Sequence, residues 1–159
     1  MATLFAFLLA TQLSQLGQMG QLDQLPVKAR QYVIYAAEAQ TIPANKRGTL
    51  ELRFHVTDGF HVNSHTPKSE LQIPTAFTLL PTAQIKLSVA EYPAGKIFTF
   101  AFDPTEKLDV YTGDFTIKVP VTAAAGPHQI QGTLQYQACD RAACFPPKTL
   151  PVTILFTAK

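Results

Sequence analysis

The chain has 159 residues, which is enough for one domain that buries a hydrophobic core without cross-links. With 47% hydrophobic and 15% charged residues, its composition is that of a globular protein. A formal net charge of +2, without any block rich in lysine and arginine, argues against nucleic acid or an anionic membrane as partner.

The first residues differ in composition from the rest. Residues 1–10 are an apolar run too short to span a bilayer as a helix, and they resemble the hydrophobic part of a secretory signal that lacks a preceding basic residue. Leucine or methionine then recurs at every third position from Leu13 to Leu25, and this spacing drifts around a helix of 3.6 residues per turn. We interpret 1–28 as a signal-like leader and linker outside the fold, with a role as membrane anchor left open, and expect 29–159 to form one domain.

From residue 49 onwards the hydrophobic pattern has a period of two. Leu50, Leu52, Phe54 and Val56 alternate with polar residues, which is typical of a half-buried antiparallel strand. Glycines and prolines mark turns between the later segments at fairly even intervals. Seven to nine short strands without a convincing helix predict an all-β fold, an antiparallel β-sandwich. Further strands are predicted at 60–63, 76–80, 84–90, 97–102, 115–121, 129–138 and 151–156.

The chain has two cysteines, Cys139 and Cys144, with four residues between them. A disulfide that closes so small a ring constrains the unfolded chain by only about 2 kcal/mol, and a stabilising pair would more often join distant strands. Three interpretations stay open from this spacing, namely a redox pair, a structural clip and two free thiols. No metal site is predicted, because structural zinc needs four ligands and the four histidines form no second half-site.

The strand prediction places the cysteines at one end of the sandwich. Cys139 ends a long strand, residues 140–143 form a turn, and Phe145 with two prolines leads the chain away from it. A pair on such a turn is exposed enough to meet another protein, as exchange with a partner's disulfide requires. The charges of Asp140 and Arg141 in the turn would tune thiolate stability in opposite directions.

Several segments resemble the N-terminal domain of the DsbD-type transmembrane thiol-disulfide interchange proteins. The resemblance is carried by Leu-Gln-Tyr-Gln-Ala-Cys at 134–139 and Cys-Phe-Pro-Pro-Lys at 144–148, with support from 59–63, 69–74 and 111–115. It covers about residues 50–156 and implies an immunoglobulin-like sandwich in the bacterial periplasm. Such a domain accepts electrons from a membrane-embedded partner and passes them to oxidised thioredoxin-like proteins, which isomerise disulfides or prepare apocytochromes c for haem attachment.

The resemblance also implies roles for the cysteines. Cys139 and Cys144 would be the redox-active disulfide, which works without a cofactor, although members of the family have a slightly longer gap between the two. Cys144 would form the mixed disulfide with the partner, and Cys139 would be the resolving thiol. The family shields its cysteines with a cap loop that bears an aromatic residue, and its best counterpart is 91–96 with Tyr92 as the lid. The alternative for this segment is an ordinary hairpin loop with a packing tyrosine.

Other positions depart from the family pattern. Family members carry tyrosines that face the cysteines where this sequence has His61 and Asn63, which are therefore site-lining candidates together with Asp140 and Phe145. A histidine there would donate a proton or lower a thiol pKa by its positive charge, or it would be a surface histidine without redox role. No transmembrane helices or thioredoxin-like domain follow in this sequence, so we expect a separate membrane protein as electron donor if the chain is complete.

The predicted function is a monomeric, periplasmic component of a protein-disulfide reductase that works as an electron relay. The alternative is an extracytoplasmic binding or adaptor module whose disulfide is only a clip. In one form of that alternative the histidines near Gly59 hold copper with help from the thiolates, since imidazole and thiolate suit Cu(I).

Overall fold

The computed structural model describes residues 30–80, 82, 84–100 and 103–159, and the predicted leader at 1–28 lies outside them. Gln31–Lys159 form one compact unit. The described residues contain no helix that is long and apolar enough to cross a membrane. Their twelve strands are β1 Val33–Ala36, β2 Gln40–Ile42, β3 Arg47–Val56, β4 His61–Asn63, β5 Ala76–Leu79, β6 Ile85–Leu87, β7 Lys96–Thr99, β8 Lys107–Tyr111, β9 Asp114–Ala123, β10 Gly126–Tyr136, β11 Ala138–Cys139 and β12 Lys148–Ala158.

Two four-stranded sheets enclose the main core, in the orders β1-β3-β9-β6 and β2-β12-β10-β5. Alternate side chains of their long strands are buried, as the period-two pattern predicts, and Leu52, Ile117, Leu134 and Ile154 lie in one apolar cluster between the sheets. Full burial of such side chains contributes about 1.5–3 kcal/mol each. The pairs within these sheets are antiparallel, apart from the parallel pair β2–β12. The predicted all-β, immunoglobulin-like sandwich is therefore confirmed.

A third sheet, in the order β11-β4-β8-β7, carries the cysteines. The sequence predicts one strand over 129–138, but the structure divides it at Gln137. Up to Tyr136 the chain pairs with β12, whereas β11 pairs with β4 in the third sheet. At the division, the Gln137 side chain accepts from the Asn63 amide and donates to the Phe145 carbonyl. The strand change therefore moves the chain from the sandwich to the sheet of the candidate site.

Three strands, β1, β2 and β8, were not predicted. β1 and β2 have only four and three residues, too few to show a period of two. β8 does alternate, with Leu108 and Val110 buried, but it is short and pairs with β4 and β7 in the third sheet. The eight predicted segments all contain observed strands, although residues 101–102 of the segment 97–102 lie outside the described residues.

Candidate functional site

Cys139 and Cys144 form a disulfide, with their Cα atoms 3.9 Å apart. The two residues face each other in an antiparallel bridge, next to which the Phe145 amide donates to the Ala138 carbonyl over 2.8 Å. Cys139 is fully buried, whereas Cys144 is exposed. The sequence predicts a pair exposed at a tip, and this is wrong for Cys139, which lies between β4 on one side and the Cys144 arm on the other. The Cys144 end of the bond is the end open to another molecule.

The turn between the cysteines is held by Asp140. Its carboxylate accepts hydrogen bonds from the backbone amides of Ala142 over 2.7 Å and Ala143 over 2.9 Å, as in an Asx turn. These donors keep the pKa of the Asp140 carboxyl below its ordinary value, so the side chain is ionised at neutral pH. Asp140 therefore shapes the turn besides placing a negative charge near the disulfide.

His61 lies in the strand next to Cys139. The two residues are direct partners in the ladder of β4 and β11, which puts their side chains on one face with Cβ atoms about 4.5–5.5 Å apart. His61 is only 2% exposed, so the interpretation as a surface histidine is wrong. Burial lowers the pKa of its imidazole below the ordinary value, and the Asp140 carboxylate opposes this shift only in part. The imidazole is therefore neutral at neutral pH, and the predicted positive charge is not its resting state.

Phenylalanines from the third sheet cover His61. The ring of Phe98 lies 4.1 Å from the imidazole and that of Phe100 lies 6.0 Å away, measured between centroids. Within the described residues, the imidazole Nε2 atom is buried and has no hydrogen-bond partner. The sequence analysis missed both phenylalanines, although Phe98, Phe100 and Phe102 alternate there and could have indicated an aromatic cover.

A cavity of about 260 Å³ opens beside His61. It combines apolar rings with charged side chains from two turns, so its chemistry is mixed. The lining residues that bear on the site are Asp58, Phe60, His61, Phe98, Thr112 and Arg141.

Asn63 links β4 to the cysteine hairpin through side-chain hydrogen bonds. Its side-chain amide donates to the Ile73 carbonyl over 3.0 Å and to Gln137 Oε1 over 3.2 Å, and Gln137 Nε2 donates to the Phe145 carbonyl over 3.2 Å. This relay of hydrogen bonds joins β4 to the residue that follows Cys144. The sequence analysis named Asn63 and Phe145 but not Gln137, although its place in Tyr-Gln-Ala-Cys was a signal.

An aromatic cluster lies beside Cys144. Phe145 stacks on Tyr32 with 5.1 Å between centroids and lies 6.0 Å from Phe60, and Lys148 Nζ lies 5.3 Å from the centre of the Tyr32 ring. Phe60 and Phe145 are half-buried, so part of this apolar surface is open next to the exposed cysteine.

Tyr92 has its contacts elsewhere in the described part of the chain. Its hydroxyl accepts a hydrogen bond from the Phe77 amide over 2.8 Å, and its ring stacks on His65 at 3.6 Å. The lid role of Tyr92 stays a prediction, since these contacts are those of a packing tyrosine. Among the described residues no group of three or more His, Cys, Asp or Glu side chains could hold a metal ion, so copper has no evident set of ligands there.

Two solved structures are similar to this chain. No curated protein matches the chain. The N-terminal domain of Neisseria meningitidis DsbD, in the reduced form, is 18% identical over 69% of this chain and 81% of that chain, with a TM-score of 0.44. The N-terminal periplasmic domain of ScsB from Proteus mirabilis is 11% identical over 77% of this chain and 44% of that chain, with a TM-score of 0.51, which indicates a shared fold.

A family model gives the assignment. The model described as "Thiol:disulfide interchange protein DsbD, N-terminal" matches residues 29–155, which include the whole disulfide hairpin and its supporting strands. The chain therefore belongs to the family of DsbD N-terminal domains.

Proposed function

We propose that the chain is a periplasmic thiol-disulfide exchange module that relays electrons from a membrane-embedded reductase to oxidised thioredoxin-like proteins. The carrying observation is the unequal exposure of the pair, with Cys144 exposed and Cys139 buried, in a domain of an interchange family. A structural clip needs no accessible sulfur, whereas a partner in exchange must reach one. The periplasmic place of the similar ScsB domain supports the compartment.

The proposed cycle starts when the membrane donor reduces the Cys139–Cys144 disulfide to two thiols. Cys144, as thiolate, attacks one sulfur of the acceptor's disulfide, so that a mixed disulfide forms and the other acceptor sulfur leaves as thiolate. Cys139 then attacks the Cys144 Sγ atom, the internal disulfide forms again, and the second acceptor thiolate leaves. Two electrons pass to the acceptor in this cycle, and no cofactor takes part.

The surroundings of Cys144 support a protein as the partner. The half-buried rings of Phe60 and Phe145 offer apolar surface next to the exposed cysteine, and aromatic residues are enriched at the cores of protein interfaces. We expect the module to act as a monomer, because its tip has to be free for the donor and the acceptor in turn.

The test is the equilibrium reduction potential of the pair, measured by redox titration with thiol trapping. We expect a value between about −200 and −270 mV, the range of thioredoxin-like proteins. A value below about −300 mV would make the bond a structural clip and favour the binding-module alternative. In a matched pair of variants, Cys144→Ser should fail to reduce an oxidised thioredoxin-like acceptor, and Cys139→Ser should accumulate the mixed disulfide. Reduction at the wild-type rate by Cys144→Ser would overturn the proposal.

A further inference from the structure

We infer that His61 is the base that takes the proton of Cys139 when Cys139 resolves the mixed disulfide, an inference that rests on the proposed function. The need for a base follows from the position of the resolving thiol. The attacking species in exchange is the thiolate. A thiol with an ordinary pKa of about 8.5 is only about 3% ionised at pH 7, and apolar burial lowers that fraction further. Cys139 is fully buried, so its proton needs an acceptor within the protein.

The backbone register supplies the geometry. His61 is the ladder partner of Cys139 on one side, and Cys144 is its bridge partner on the other. Residues that lie side by side across neighbouring strands project to the same face, so the imidazole, the buried sulfur and the exposed sulfur form a row. The neighbouring Val62 points to the main core, whereas the His61 ring packs under Phe98 on the opposite face. The base and the two reacting sulfurs therefore share one environment.

The imidazole is in the right state to accept a proton. Its Nε2 atom is buried and, within the described residues, lacks a hydrogen-bond partner, which is unusual for a buried polar atom and fits a nitrogen with a transient partner. Apolar packing under Phe98 and Phe100 keeps the ring neutral at rest, as the lowered pKa of His61 also indicates.

The charged groups around the His61 ring include some that favour its protonated form and some that oppose it. The Asp140 carboxylate, held in the turn next to Cys139, favours the imidazolium that forms when the proton arrives. Asp58 and Arg141 line the cavity beside His61 and bring one charge of each sign. Of these three groups, Asp140 is the one with an electrostatic interaction to the imidazole, so it is the one we assign to stabilising the transferred proton.

The step balances as follows. The Cys139 thiol gives its proton to the imidazole, and its sulfur attacks the Cys144 Sγ atom of the mixed disulfide. The Cys139–Cys144 bond forms, the bond between Cys144 and the partner breaks, and the partner's sulfur leaves with the electron pair. The two cysteines of the module are oxidised and the partner is reduced. The imidazolium then gives its proton to the leaving thiolate or to water in the cavity.

The test follows the resolving step directly. Reduced chain mixed with 5,5′-dithiobis(2-nitrobenzoate) in a stopped-flow instrument releases one thionitrobenzoate when Cys144 forms the mixed disulfide and a second when Cys139 resolves it. The second phase is first-order, so its rate reports the step itself. We expect His61→Gln to slow this phase at about pH 7 by at least about tenfold, as for the loss of a general base. The matched control is His55→Gln, an exposed histidine on β3.

The pH profile separates a base from a merely structural residue. The wild-type rate should rise with pH and reach its plateau before about pH 7, where the imidazole is already neutral. The His61→Gln rate should keep rising until the Cys139 thiol itself ionises at about pH 8.5 or above. Equal rates and profiles in wild type and His61→Gln would overturn this inference and leave the relay standing. A wild-type chain that releases no second thionitrobenzoate would overturn both.

A second variant keeps the inference falsifiable if His61→Gln does not fold. Asp140→Asn keeps the side-chain oxygen that accepts from Ala142 and Ala143 but removes the charge. Without this carboxylate the imidazolium is less stable, so the midpoint of the rate profile should move to lower pH. A midpoint that does not move would overturn the assignment.

Discussion

The side chain of Gln137 is predicted to hold the Cys144 arm of the hairpin in place. It joins β4 to this arm by accepting from the Asn63 amide and donating to the Phe145 carbonyl, each over 3.2 Å. The change Gln137→Ala removes both bonds, together with the longer bond of 3.5 Å that Gln137 Oε1 accepts from the Ile73 amide. We expect the oxidised domain to become less stable and the hairpin to loosen around Cys144.

The magnitude follows from the hydrogen bonds that are lost. A hydrogen bond between neutral groups contributes about 1 kcal/mol net, and an acceptor that stays buried without a partner costs about 1–3 kcal/mol. Asn63 keeps its bond to the Ile73 carbonyl, so the Phe145 carbonyl and the Ile73 amide bear most of the loss. We therefore expect a decrease of about 2 kcal/mol in the free energy of unfolding. In a domain of about 130 residues this corresponds to a fall in Tm of about 8 °C.

The assay is thermal and urea unfolding of the oxidised domain, followed by circular dichroism, because an intact disulfide keeps the transition two-state. The matched control is Gln135→Ala, which changes an exposed glutamine two positions earlier on β10 and should cost less than about 0.5 kcal/mol. If both variants lose the same stability, the Gln137 relay does not support the hairpin and the reasoning is refuted.

Two further predictions concern the cysteines and the buried histidine. In the reduced protein, iodoacetamide should modify Cys144 before Cys139, because only Cys144 is exposed; peptide mapping by mass spectrometry checks this, and equal rates would contradict it. Burial lowers the pKa of His61 in the folded state, so the unfolded state binds more protons below about pH 6.5. The free energy of unfolding should therefore be largest above this pH and should decrease as the pH falls towards the folded pKa. Between about pH 7 and 5, the free energy of unfolding measured with urea should change less with pH in His61→Gln than in the wild type. An equal change in both proteins would contradict the burial of a neutral imidazole.

The sandwich could be predicted because the residue pattern within each long strand indicates which of its side chains are buried. In β3 the residues Leu50, Leu52 and Phe54 alternate with polar ones, and this period alone fixes which face is inside. The strands β1 and β2 gave no such signal, since three or four residues hold too little pattern, and the alternation in β8 covers only five residues. The division of the strand after Tyr136 was not visible in the sequence, because the residues that follow it pair with β4, which lies far back along the chain.

The site could be predicted in its residues but not in its arrangement. The cysteine motif identified the disulfide and the motif around Gly59 identified His61, yet neither motif indicated how deeply these side chains are buried. Burial of His61 comes from Phe98 and Phe100, which approach it through the pairing of β7 with β8 and of β8 with β4. The choice of Tyr92 as the lid had the same weakness, since a tyrosine in a loop gives no sign of which part of the sheet it will meet.

The register of β4 against β11 decides which side chain lies beside Cys139, and it therefore bears on the different roles of the two cysteines. Gly59 has a φ of 84°, a left-handed conformation that favours glycine, and it lies in the turn two residues before β4 begins at His61. A slip of one residue would place Phe60 or Val62 opposite Cys139 and send His61 to the main core, because successive side chains alternate between faces. Since β11 has only two residues, the register also depends on the Gly59 turn, the pairing of β4 with β8 and the Asn63–Gln137 bond. The same pairing that puts an imidazole beside Cys139 also buries that cysteine, while Cys144, one bridge further out, stays exposed. One local choice of register thus determines both which sulfur meets a partner and which sulfur has a base beside it.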